Sequence, residues 1–194
     1  MVLNPDKSEV LAVGTNQRLS EPLVRDDVNV AGSVLPVSDS VKSISVTLDS
    51  KLSFDKHVSN ICNVSRYHIQ ALRHIRPALD LKSANVLACS TILSKLDYCN
   101  SVLAGVSQRN LFRLQRVQNS AARLVCDAKC RDSSLPLLKQ LHWLPVVDTI
   151  DFKIAWITFK TLSLNQPSYL LNLLSVYTPT RSLRSASDPC GADC

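Results

Sequence analysis

The sequence predicts a mainly α fold of the α+β class, with a small antiparallel β piece at the N-terminus followed by a helical bundle. Three observations predict it. The hydrophobic period changes after Asp49, from strict alternation to helical spacing. Beyond that point Ser, Asp, Gly and Pro residues fall where helices start and stop. Hydrophobic residues make up 45% of the 194 residues, which is enough to build the core of one domain.

The elements follow in order. Glu9 to Val13 reads as a strand ending at Gly14, and Val28 to Val30 as one ending at Gly32. Val34 to Val37 is a third, with Pro36 marking an edge or a bend. The best strand is Val41 to Leu48, where Ile44, Val46 and Leu48 alternate with Ser43, Ser45 and Thr47. From Asp55 to Arg76 the residues Val58, Ile61, Cys62, Ile69, Leu72 and Ile75 keep helical spacing, with Ser53 as cap and Pro77 as stop. Asp80 caps a second helix whose buried stripe is Ala84, Leu87, Ala88, Ile92 and Leu96. Gly105 ends the next connection, and Ser107 caps a third helix carrying Leu111, Leu114, Val117, Ala121, Leu124 and Val125. Pro136 and Pro145 bracket a short helical turn, and a helix of about Val147 to Leu162 buries Ile150, Ile154 and Ile157. Trp143 and Trp156 read as core. Pro167 opens a last short helix through Leu174, and the tail from Pro179 is too poor in apolar residues to pack.

Several function classes are excluded by composition. Only four residues are glycine, and none belongs to a Gly-rich phosphate-cradling loop. The longest uncharged window, Thr161 to Thr180, contains Asn165, Gln166, Pro167 and Asn172, too polar to span a bilayer. The first ten residues lack the apolar run of a signal peptide, so the expectation is an intracellular chain with no membrane partner. Seven cysteines, an odd number, fit reduced thiols better than a disulfide framework. Cys126 with Cys130 and Cys190 with Cys194 have metal-like spacing, but a lone pair of ligands is not a zinc site. His57, His68 and His74 lie along the first helix as partly buried or solvated imidazoles. No nucleophile sits in a Gly-x-Ser-x-Gly elbow, and Asp97 reads as a surface or capping residue. Asp26-Asp27 is the only Asp-Asp pair and reads as a loop pair, so no catalytic or metal residue is assigned.

The net charge of +6 is local. Residues 1–54 carry −2, residues 55–82 carry +3 and residues 107–131 carry +5. At 100° per residue, Arg109, Arg113, Arg116 and Arg123 fall within about 80° of arc on the third helix, beside its apolar stripe. Four guanidiniums on one ridge suit a run of backbone phosphates. The solvated face of a core helix gives the same pattern.

Read together, several strings resemble the polymerase protein of non-LTR (LINE-type) retrotransposons. LNPDKSEVLAVGT at 3–15 resembles the segment that follows the catalytic aspartates in those reverse transcriptases. VKSISVTLDSKLSFDKHV at 41–58 resembles the strand-turn-helix that leaves the palm and enters the thumb. LDYCNSVLAG, LQRVQNSAARLV, LKQLHWLPV, FKIAWITFKTL and QPSYL then follow in the family's order. Ser45 stands where the family often has Gly. The resemblance implies a palm remnant over 1–52, a thumb-like helical bundle over 53–130, post-thumb helices over 131–178 and a disordered tail over 179–194. It implies an RNA/DNA template–primer as partner, gripped by phosphates through the ridge of Arg109, Arg113, Arg116 and Arg123. Lys7 matches a lysine thought to assist departure of pyrophosphate. Intact members hold Mg²⁺ on palm aspartates that precede the Lys7 motif, whereas Asp26-Asp27 follows it. The expectation is therefore a truncated polymerase fragment with no cofactor, no small-molecule substrate and no catalysis of its own, cut at both ends. The alternative is a helical protein-interaction module with no nucleic-acid role.

Overall fold

The computed structural model describes residue 4 and residues 8–20, 28–30 and 32–175. Lys7, Asp26-Asp27, Cys190, Cys194 and the tail from Pro179 lie outside them. The fold is mainly α with minor β, as the change of period predicts. Among the described residues six short strands, β1 (Val10–Leu11), β2 (Val28–Val30), β3 (Ser33–Leu35), β4 (Val37–Ser38), β5 (Ser40–Ser43) and β6 (Val46–Asp49), precede the main helices, with a four-residue helix α1 (Asn16–Leu19) among them. They pair two by two. β2–β3 and β5–β6 are antiparallel, but β1 runs parallel to β4.

The Val41–Leu48 strand is a hairpin instead of one strand. Ser43 pairs with Val46, and the two residues between them turn the chain with positive φ, Ile44 at 45° and Ser45 at 65°. Two-residue hairpin turns need that backbone. Alternation over eight residues cannot show such a turn when no Gly or Asn marks it, and Ile44 is 81% exposed rather than facing the core. The cap before the first long helix also differs from the prediction. Phe54, at φ 59°, stands before it, and the Asp49 carboxylate accepts from the Ser53 amide and hydroxyl (3.0 and 2.8 Å) and the Phe54 amide (2.8 Å).

α2 (Asp55–Ile75) buries Val58, Ile61, Cys62, Ile69 and Leu72, but Ile75, in its last turn, is exposed. The chain returns as α3 (Leu81–Ala88), a five-residue π-helical stretch (Cys89–Leu93) and α4 (Ser94–Asp97). Asp80 caps α3 by accepting from the Ser83 amide at 3.1 Å. Steps of four residues in an α-helix overshoot a turn by about 40°. The wider π turn turns that drift back, so Ala84, Ala88, Ile92 and Leu96 all reach the core. The Thr91 and Ser90 hydroxyls donate to the Leu87 carbonyl at 2.6 and 3.1 Å, bonds that compete with a regular helix ladder.

α5 (Gln108–Val125) follows, capped by Ser107, and packs on α2, with Leu114, Val117, Ala121 and Val125 buried and Leu124 half-buried. The same core continues past residue 130 through α6 (Ser134–Gln140), Trp143, and Val146 and Ile150 at the start of α7 (Val146–Leu164). One compact unit runs to Ile154 and a second begins at Ala155. The second holds the rest of α7 and α8 (Ser168–Leu171), which follows Pro167. In it the Trp156 and Phe159 rings stack at 6.4 Å, with the Lys160 ammonium 5.0 Å from the Trp156 centroid. Ile154, Ile157 and Trp156 are exposed rather than core. Apolar side chains lie all round α7, so burying one side leaves others in water.

Candidate nucleic-acid interface

α2 and α5 run parallel, because the α3–α4 arm brings the chain back between them. Their starts are tied by Asn110, fully buried, whose amide donates to Asp55 (2.7 Å) and to the Ser53 carbonyl (3.3 Å). Arg113 donates from the same region to the Ser59 hydroxyl at 2.8 Å and to Asn110 at 3.2 Å. Their ends are tied by Arg76, whose guanidinium donates to the Leu124 and Val125 carbonyls at 2.8–3.2 Å and to the Leu79 carbonyl at 2.8 Å. A cation on the last carbonyls of α5 satisfies orphan acceptors and complements the helix dipole.

Between these two ties lies a basic strip. Arg66, Arg73 and Arg116 line a recess of about 230 Å³ together with Ile69, Val117 and Ser120. Arg73 and Ser120 also line a neighbouring recess of about 370 Å³, where they meet Arg123 and Asp127. Arg66 and Arg73 are seven residues apart on α2, and Arg116 and Arg123 seven apart on α5. That spacing is two helical turns, or roughly 10 Å of rise. Two parallel helices in register therefore set two arginine pairs side by side.

The four predicted arginines do not act alike. Arg116 is exposed and joins the strip, as does half-buried Arg123, whose Nε donates to the Asp132 carbonyl at 3.0 Å. Arg113 is half-buried and spends its donors inside the fold. Arg109 is exposed in the first turn and lines neither recess. The guanidiniums of Arg73, Arg109 and Arg116 make no hydrogen bond or ion pair with a described residue. Arg66 and Arg73 escaped the helix-by-helix reading. The seven-residue spacing they share with Arg116 and Arg123, and the +3 charge of residues 55–82, are the signals that point to them.

The other candidates take structural places. Burial pushes the Cys62 thiol up, against the pull of Arg113 and Arg66, so it is no thiolate nucleophile. Burial likewise raises Cys126, which is half-buried, while Cys130 is exposed. His57 is buried, His68 half-buried and His74 exposed. Trp143 is buried and donates to Asn85 at 3.1 Å. Among the described residues no three His, Cys, Asp or Glu side chains come together as metal ligands. Among them, too, no helix is long and apolar enough to cross a membrane. Fold and site together define a mainly helical chain with a basic face built by two parallel helices. No protein family, curated protein or solved structure matches it.

Proposed function

We propose that the chain is a palm-to-thumb fragment of a non-LTR retrotransposon reverse transcriptase that grips nucleic-acid backbone without catalysing polymerisation. The ordered strings at 3–15, 41–58 and through the helices support the family, and the mainly α body suits a thumb. The observation that carries the binding role is the strip of Arg66, Arg73, Arg116 and Arg123 on the paired helices. Such a strip takes phosphates from RNA or DNA alike and reads no bases.

The test is the salt dependence of binding to an RNA–DNA hybrid. Replacing Arg66, Arg73, Arg116 and Arg123 by Gln should lower the log–log salt slope by up to about three to four units, on roughly 0.9 per contact for B-DNA. Arg109→Gln should lower it by no more than about one unit, a single contact. Helicity should hold, since Gln is nearly as good a helix former as Arg. An unchanged slope in the fourfold variant would return the strip to the solvated surface of two core helices. Purified chain should extend no primer with Mg²⁺ or Mn²⁺, because phosphoryl transfer rests on carboxylates placed around metal ions. Measurable extension would refute that part of the reading.

A protein-interaction module remains the second reading, and one observation favours it. Phe159, Leu162 and Leu164 of α7 are exposed. Nucleic-acid binding that ignores salt, together with a tight protein complex lost in Phe159→Ser, would replace the first reading by the second.

A further inference from the structure

Away from the arginine strip, a recess of about 420 Å³ opens between the β5–β6 hairpin, α2 and α4. Lys42 and Ser45 reach it from the hairpin, His57 and Asn60 from α2, and Lys95 from α4. No carboxylate of a described residue lines it. Both lysines are exposed, and neither ammonium has a hydrogen bond or ion pair with a described residue. The hairpin is held in place there by the Tyr98 hydroxyl, which donates to the Ile44 carbonyl at 3.0 Å.

His57 gives this recess its specific chemistry. It is only 4% exposed, and its Nδ1 accepts from the Thr47 amide at 3.4 Å. A ring that accepts at Nδ1 carries its proton on Nε2. Burial lowers the pKa of His57, which keeps the ring neutral and in that tautomer. The Nε2 atom is buried and has no hydrogen-bond partner. Buried donors are almost always satisfied, so one that is not, on a side chain that lines a cationic recess, points to a ligand acceptor.

We propose that this recess binds the terminal phosphate of a small phosphomonoester, with Lys42 and Lys95 neutralising its charge and His57 Nε2–H donating to one oxygen. Two cations match a dianion, which a monoester supplies near neutral pH and an internal diester does not. The Ser45 hydroxyl and the Asn60 amide add donors for the remaining oxygens. Ile61 and Val64 line the same recess, and the volume exceeds that of a bare phosphate, leaving room for an organic body. The site is separate from the arginine strip and shares no residue with it.

Phosphorus NMR and calorimetry on the full chain, at constant ionic strength, test the proposal with inorganic phosphate, AMP and dimethyl phosphate. Saturable one-site binding of phosphate and AMP is expected, at least about tenfold tighter than dimethyl phosphate, the equivalent of one charge-assisted contact. Lys42→Gln with Lys95→Gln should weaken AMP by about tenfold or more, with circular dichroism and melting unchanged. The fourfold arginine variant should bind AMP as the native chain does. Because His57→Leu risks unfolding the hairpin, His57 is followed in the native chain, where its Nε2–H resonance should move with AMP. Displacement of AMP by a 5′-phosphorylated oligonucleotide but not its 5′-hydroxyl twin makes a strand end the source. Displacement by neither makes it a free small molecule. Displacement by both, equal binding of dimethyl phosphate, an unmoved His57 resonance or an indifferent lysine variant overturns the site.

Discussion

Ile44 and Ser45 hold the β5–β6 turn at a conformational cost, since both sit at positive φ without being Gly or Asn. A left-handed backbone costs an ordinary residue about 1–2 kcal/mol, and a β-branched one is the worst placed there. Tyr98 bonds the backbone carbonyl of Ile44, so changing the side chain leaves that tie intact. Ile44→Asn with Ser45→Gly should therefore raise stability by about 1–2 kcal/mol, seen as a higher urea midpoint at unchanged slope. A lower midpoint would mean the turn backbone differs from a type I′ geometry. Asp49 is the other residue on which the entry to α2 depends. Burial alone would raise its carboxyl, but hydrogen bonds from the Ser53 hydroxyl and amide and the Phe54 amide outweigh it and hold the carboxyl below 3.8. The unfolded chain then binds this proton more readily, so the contribution is whole above the ordinary aspartate value. It is lost as pH falls through the lower, folded value. Asp49→Asn should destabilise the native chain by about 1–2 kcal/mol at pH 7, the low end for charge-assisted bonds because the site is half-exposed. The gap between variant and native should narrow as pH falls through that lowered value, and a gap that stays constant with pH would rule out the charge as its cause.

At the level of the elements, the α2–α5 pair depends on polar ties at both ends and an apolar seam between. Asn110 has no exposure, and its side-chain amide donates both of its bonds to the start of α2. Asn110→Ala should cost about 1–2 kcal/mol, because the half-buried Ser53 carbonyl and the exposed Asp55 carboxylate lose a donor that is itself buried. Chemical denaturation measures it, and a cost under about 0.5 kcal/mol, the usual limit for a neutral surface change, would show that water replaces the amide. Most of the helical pattern was legible from side chains alone. Asp80 and Ser107 cap as their residue types demand, and the stripes of α2, α3 and α5 reach the core because four-residue steps mark one helix face. What stayed hidden depends on more than one element or on backbone. The π turn at Cys89–Leu93 leaves the apolar spacing unchanged, so the pattern reads as plain α-helix. Trp156 and Ile157 look buried by type, yet burial is decided by what packs against α7 and not by its own residues. The arginine strip was half visible for the same reason. Arg116 and Arg123 lie on one helix, but only the parallel pairing of α2 with α5 adds Arg66 and Arg73.

Across the first compact unit, stability should be uneven. Its helices share one apolar core, whereas its strands form three separate two-stranded pairs. Only Leu35 and Val46 among the strand side chains are buried. An isolated pair of strands is marginal in water, and two residues of β1 paired with two of β4 give little cooperativity. The N-terminal segment is further tied to the rest by single bonds, from the Val10 amide to Pro36 (3.4 Å) and from Gly14 to Ser50 (3.0 Å). The β5–β6 hairpin is better supported. It has four paired positions, packs on α2 through buried Val46, and is bonded by His57 and Tyr98. Opening free energy should therefore rise from β1–β4 and β2–β3, through β5–β6, to α2 and α5, where opening approaches global unfolding. Hydrogen exchange followed residue by residue gives this order directly. Amides of Val10, Leu11 and Val28–Val30 should exchange orders of magnitude faster than those of Val58–Cys62 and Val117–Ala122. Equal protection of Val10 and Leu114 would mean that the strands and helices unfold as one unit, and the two-stranded pairs would then need support that their burial does not supply.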